Sequence, residues 1–154
     1  MTNEQVANAM RAHHASMVEE VRQRTEELWR TATDWGHARH ALARYLQDEI
    51  LPHARAEEGT VYARGQQIPA LAGLVRSMRY EHEVIGHLTH RLEQAFDWHA
   101  AADVASRVAE LFAVHAGKED RFIIAELEAS PDANLEDILG GLREELAGET
   151  HPPA

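Results

Sequence analysis

The sequence predicts an all-α protein: an up-down-up-down four-helix bundle with a short extra C-terminal helix. Three observations carry this. Ala, Glu, Arg and Leu dominate and alternating β-branched runs are missing, so no segment has a strand's pattern. Apolar residues instead recur at helical spacing along four long stretches. The breaks between those stretches are short, which leaves successive helices antiparallel.

The first helix is expected over residues 3–31, on a stripe of Val6, Met10, His14, Met17, Val21 and Leu28; TATDWGHA then breaks it. The second is expected over 36–63, with Leu42, Leu46, Ile50, His53, Glu57 and Val61 on one face. It carries a proline in its interior, Pro52, directly before His53. Proline removes a backbone hydrogen bond and kinks a helix, at about 3 kcal/mol in an ordinary one. Rule-breaking of this kind is expected at functional sites, and the kink is read as re-aiming His53. The segment RGQQIPA ends the second helix, with Pro69 placed in the first turn of the third.

The third helix is expected over 69–97, striped by Leu74, Met78, His82, Ile85, Thr89 and Phe96. DWHAAAD breaks it, and Asp103 is read as the N-cap of a fourth helix over 103–129. That helix presents Val104, Val108, Phe112, His115, Glu119 and Ile123 on one face. Beyond SPDAN, a shorter helix with Leu135, Ile138, Leu139, Leu142 and Leu146 on one side should pack across the bundle. The organisation is thus a bundle over 1–130, a C-terminal helix over 131–147 and a tail over 148–154, expected to be disordered. Trp29, Trp35 and Trp98 fall at helix ends and are read as caps on the core.

The 154 residues suit one domain and can bury a core without covalent staples. Cysteine is absent, which removes disulfides, zinc fingers, thiol catalysis and iron–sulfur clusters. The net charge of −11 argues against nucleic acid and anionic membranes, whose phosphates need basic patches. The N-terminal segment lacks a signal peptide's pattern and no apolar run could span a bilayer, so a cytoplasmic monomer or weak dimer is expected. The eleven histidines are dispersed along the chain, so they are no tag.

Their placement repeats. Adding 62 to the second stripe gives the fourth, so that His53 and Glu57 become His115 and Glu119. Adding 68 to the first gives the third, so that His14 becomes His82. Helix positions i and i+4 lie about 40° apart around the axis and about 6 Å along it. Each His-x-x-x-Glu pair can therefore reach one centre. All six groups stand in register with the core, where unpaired imidazoles and carboxylates would be costly. Metal ions are the natural compensation, and carboxylate with imidazole suits iron or manganese. Eleven histidines and 26 acids predict about two His-x-x-x-acid pairs by chance, so shared register and symmetry carry the inference, not the count.

The stretches AHHASM (12–17), LPHARAEEGTVY (51–62), YEHEVI (80–85) and VHAGKED (114–120) resemble the hemerythrin-like, or HHE cation-binding, family over residues 5 to 130. The resemblance implies a four-helix bundle holding a non-haem di-iron centre, oxo- or hydroxo-bridged. Such a centre binds or reacts with dioxygen, peroxide, nitric oxide or another small oxidant; manganese would use the same ligands. Carried over by position, the ligands are His14, His53, Glu57, His82, His115 and Glu119, with both glutamates bridging. The ferritin-like alternative uses Glu-x-x-His, which this chain lacks.

The match departs in places. Oxygen carriers have a second histidine on the third helix where this chain has Met78, which leaves one ion room for a small reactant. They also use His-x-x-x-x-Asp on the fourth helix, which His115 and Asp120 fit; Glu119 matches the internal repeat and is preferred. Glu58 and Asp120 then stand where they could accept imidazole N–H bonds. Tyr62 stands near the centre as a donor, radical site, ligand or core filler, and His13 is the alternative to His14. His37, His40, His87, His90, His99 and His151 are expected to face solvent. Carrier, sensor, iron-handling protein and oxidase or peroxidase all stay open.

Overall fold

The computed structural model describes residues 1–149 and contains no strand among them. Helix α1 spans Asn3–Arg30. It opens on a capping box: the Thr2 hydroxyl accepts the Gln5 N–H, and the Gln5 side chain accepts the Thr2 N–H. Two of the first turn's orphan donors are thereby satisfied.

The second rod is not the single helix expected over 36–63. It runs as α2 (Trp35–Tyr45), a π turn (Leu46–Ile50), α3 (Leu51–Gly59) and α4 (Val61–Gly65). Pro52 falls in the first turn of α3, just past the π turn. The wider turn carries the chain past the missing N–H and the proline ring, and the Leu51 N–H still donates to the Leu46 carbonyl. The rod breaks again at Thr60, whose φ of −121° and ψ of −80° are not helical. Its hydroxyl donates to the Ala56 carbonyl at 2.7 Å, closing the end of α3.

Helix α5 (Ala72–Glu93) starts later and ends earlier than expected. Pro69 lies in a run of turns that includes Ile68 N–H to Gly65 and Leu71 N–H to Ile68. Phe96 is 85% exposed instead of completing the stripe. Helix α6 (Trp98–Lys118) begins ahead of the expected residue 103, because Asp97 is the N-cap and accepts the Ala100 N–H at 2.8 Å. Asp103 lies inside the helix, paired with Arg107. A second π turn (Glu119–Ile124) and α7 (Ala125–Ala129) continue this rod, and α8 (Leu135–Glu149) follows. The tail beyond, including His151, lies outside the described residues.

Helix α1 packs on α2 and α6, and α5 packs on the same two, closing a four-rod bundle; α8 lies across α3 and α1. Trp98 donates its indole N–H to the Leu28 carbonyl and meets Trp29 edge-on, tying one end of the bundle. No described helix is long and apolar enough to cross a membrane.

The core is two clusters, not one. One holds Met17, Val21, Leu42, Ile50, Ile85 and Phe112; the other holds Met10, Val61, Tyr62, Met78, Ile123 and Leu135. On every rod the residues between the two clusters are the polar ones: His14, His53 with Glu57, His82, and His115 with Glu119. A layer of ionisable groups therefore cuts the hydrophobic core across its middle.

Candidate metal centre

All six of these side chains are buried, at 1–7% exposure. They come from α1, α3, α5, α6 and the second π turn, so every rod contributes. Glu57 is the hub. Its Oε1 lies 2.7 Å from His53 Nε2 and 3.2 Å from His14 Nε2. Its Oε2 lies 3.8 Å from His82 Nε2. The His82 and His115 Nε2 atoms approach to 3.0 Å, and His115 Nε2 is 3.9 Å from Glu119 Oε2. Two groups able to hold a metal ion result: His14, His53 and Glu57, and then Glu57, His82 and His115. They share one carboxylate, which offers one oxygen to each.

Carboxylates stand behind three of the four imidazoles. His14 Nδ1 lies 2.6 Å from Asp120, His82 Nδ1 2.8 Å from Glu58, and His115 Nδ1 2.9 Å from Glu81. A carboxylate there fixes the tautomer, leaving the Nε2 lone pair aimed inward. Glu58 and Asp120 occupy the positions foreseen for them. Asp120 faces His14 from outside the cluster, and Glu119 is the fourth rod's inward carboxylate. Glu81 escaped the sequence reading, because a glutamate one residue before an inward histidine sits about 100° off the core stripe. The available signal was the chain's single lysine, Lys118, which pairs with Glu81 across α5 and α6.

Tyr62 is fully buried, stacks on His82 with 9° between the rings, and brings its hydroxyl to 3.2 Å from His115 Nε2. The same hydroxyl is 3.4 Å from Glu119 Oε2, to which it donates. The break at Thr60 lets α4 restart with Tyr62 facing the cluster. His13 is exposed and joins neither group; its ring meets His53 edge-on at 5.2 Å. Met78 is buried in the second apolar cluster. His37, His40, His87, His90 and His99 are exposed.

The electrostatics point to missing positive charge. Burial pushes Glu119 well above the usual carboxylate range, and the neighbouring Glu57 charge pushes it further. Burial works the same way on Glu57, but His53 and His14 overcome it and hold it well below that range. The two inner carboxylates are thus pushed in opposite directions, Glu57 toward its charged form and Glu119 toward its neutral one. Burial and the adjacent His82 lower His115 to about 4, against the pull of Glu81. His14 is raised despite burial, because Asp120 and Glu57 both bond to it. Burial, then Glu119 and Glu57, push the Tyr62 phenol upward. Polar atoms are also stranded: among the described residues, Glu119 Oε1 and His53 Nδ1 have no hydrogen-bond partner, and His53 Nε2 meets only the Glu57 carboxylate at 2.7 Å. Unsatisfied buried groups of this kind need an explanation, and cations bound among them supply one. The donor set, imidazole nitrogen with carboxylate oxygen, fits.

Fold and site together define a helical bundle that gathers metal-binding side chains at its core. The family model of the hemerythrin HHE cation-binding domain matches residues 5–127, and the chain belongs to that family. No curated protein and no solved structure matches the chain.

Proposed function

We propose that the chain holds two iron ions at this centre and binds or reacts there with dioxygen or its reduced products. The observation that carries the reading is Glu57 shared between two histidine groups, one oxygen toward each. His14 and His53 would hold one ion, His82 and His115 the other, and Glu57 would bridge them. Glu119, which lies 3.9 Å from His115 and joins neither group of three, would be the second bridge, its Oε1 having no hydrogen-bond partner among the described residues.

When bound, the ions supply redox and Lewis-acid chemistry. The chain's own residues set the conditions. Asp120, Glu58 and Glu81 hold three imidazoles in register. Met17, Ile50, Ile85 and Phe112 wall a cavity of about 10 Å³ beside the six ligands, room for one water-sized molecule. The Tyr62 hydroxyl reaches the side of the second group, where Met78 supplies no ligand. A phenol that keeps its proton there is a hydrogen-bond donor placed to orient a small oxidant.

The test is metal content per chain with an absorption spectrum of the same aerobic sample, followed by oxygen release from added peroxide. Two irons with a near-ultraviolet ligand-to-metal charge-transfer band support the di-iron reading. No bound metal after anaerobic iron loading and air exposure would sink it. Peroxide turnover then separates an enzyme from a carrier, which changes its spectrum reversibly with dioxygen and generates no oxygen from peroxide.

A further inference from the structure

The internal repeat is broken at one position that matters. The offset of 62 relates Glu58, behind His82, to Asp120, behind His14. The offset of 68 relates Glu81, behind His115, to His13, whose ring meets His53 edge-on at 5.2 Å. Three imidazoles thus have a carboxylate at their back, and the fourth has a neighbouring histidine ring instead. His53 is 5% exposed, and its Nδ1 has no hydrogen-bond partner among the described residues.

A cleft of about 330 Å³ opens at this point, between α1, α3 and α8. Met10, Leu139, Leu142 and Leu146 give it apolar walls, and His53 and His14 line its inner side. Its one arginine is Arg143, which has no ion-pair partner among the described residues. The carboxylates nearby border a separate groove that meets the cleft at His13, His53 and Leu146; of these, Asp48 is paired with Arg44.

We infer that the α1–α3–α8 cleft binds a small aliphatic monocarboxylate. The carboxylate group pairs with Arg143 and, displacing the His13 ring, accepts the His53 Nδ1–H, and the alkyl chain lies along Leu139, Leu142 and Leu146. The ligand supplies the fourth carboxylate that the chain omits at His13. The volume is at the small end of ligand pockets, and the lining has their usual make-up of apolar walls with a few convergent polar groups. In a chain of net charge −11, an unpaired arginine beside a buried orphan donor is the feature that selects an anion. Because the ligand would touch the back of a metal-holding imidazole, the inference rests in part on the proposed centre.

Calorimetric titration of the metal-loaded full chain with sodium octanoate tests it, with 1-octanol as the neutral comparison and metal content measured on the same sample. Octanoate should bind saturably and at least about tenfold tighter than octanol, the scale of one charge-assisted hydrogen bond. Arg143→Gln should weaken octanoate about tenfold and leave octanol unchanged. His13→Glu rebuilds the missing carboxylate inside the chain, so it should abolish octanoate binding while both metal equivalents stay. Equal affinity for octanol, no saturable binding in the millimolar range, or a His13→Glu variant within twofold of the parent would each overturn the inference. Octanoate binding to a chain without two metal equivalents would sink the reading of the centre and uphold the cleft. Two equivalents without octanoate binding would do the reverse.

Discussion

Glu57→Gln is the sharpest perturbation of the centre, because it changes one atom and one charge. In the parent, one oxygen sits 2.7 Å from His53 Nε2 and 3.2 Å from His14 Nε2, and the other faces His82 at 3.8 Å. The amide keeps the shape but offers one oxygen and one NH₂. Whichever group receives the NH₂ loses an anionic ligand and gains a donor aimed at the lone pairs a metal needs. The other group keeps a neutral oxygen. Losing even a carboxylate that only backs a ligand typically costs 10- to 100-fold in metal affinity. A bridging ligand should exceed that, so the weaker equivalent should drop by at least about 100-fold, or about 2.8 kcal/mol. Anaerobic titration against a competing chelator measures both equivalents. The expected result is one retained equivalent and one lost. Both equivalents within threefold of the parent would refute the shared-carboxylate geometry. Glu58→Gln is the control: it should keep both equivalents, one weakened by about 10- to 100-fold.

Four further outcomes follow from the same contacts. His53→Ala or His115→Ala should lose metal while His90→Ala, on an exposed side chain, keeps both equivalents by elemental analysis. Glu81→Gln should weaken only the His82–His115 equivalent, by about 10- to 100-fold in the same chelator competition. Removing the metal should lower the thermal midpoint by about 10–20 °C in calorimetry; two sites each filled at about 100 Kd contribute about 5 kcal/mol, and each kcal/mol is worth about 2–4 °C at this size. A midpoint that moves by less than a few degrees would mean the buried charges are satisfied without ions. Tyr62→Phe should keep both equivalents but change the absorption spectrum and peroxide turnover, whereas unchanged values for both would leave Tyr62 a core side chain.

The helices and their inward residues were legible because one signal, apolar periodicity, encodes both. The six inward groups are visible in sequence as interruptions of the stripes at matching offsets. What periodicity does not encode is where a helix changes pitch. Pro52 marked the trouble in the second rod, yet its resolution was a π turn over Leu46–Ile50, a choice made by the packing of Leu46 and Ile50 in the core. The π turn at Glu119–Ile124 carries no proline or glycine and had no local signal at all. Asp97 and Asp103 are both plausible caps by composition, and Trp98 decided between them by tying its indole to Leu28.

The second π turn also bears on the choice between Glu119 and Asp120, which spacing alone left open. From His115 a regular helix turns about 40° to Glu119 and about 140° to Asp120, so periodicity favours the first and the oxygen carriers' His-x-x-x-x-Asp spacing the second. A turn that widens at Glu119 makes both steps useful at once. Glu119 turns inward at 1% exposure, and Asp120 reaches sideways to His14 at 2.6 Å. The second rod achieves the same division at Glu57 and Glu58 within an ordinary helix, because its π turn lies before the histidine instead of after it. So the two halves arrive at the same chemistry, an inner carboxylate beside an outer one, by different backbone routes. A repeat kept in its side chains and not in its backbone places the constraint on the ligand positions, and the helix geometry is what bends to meet them.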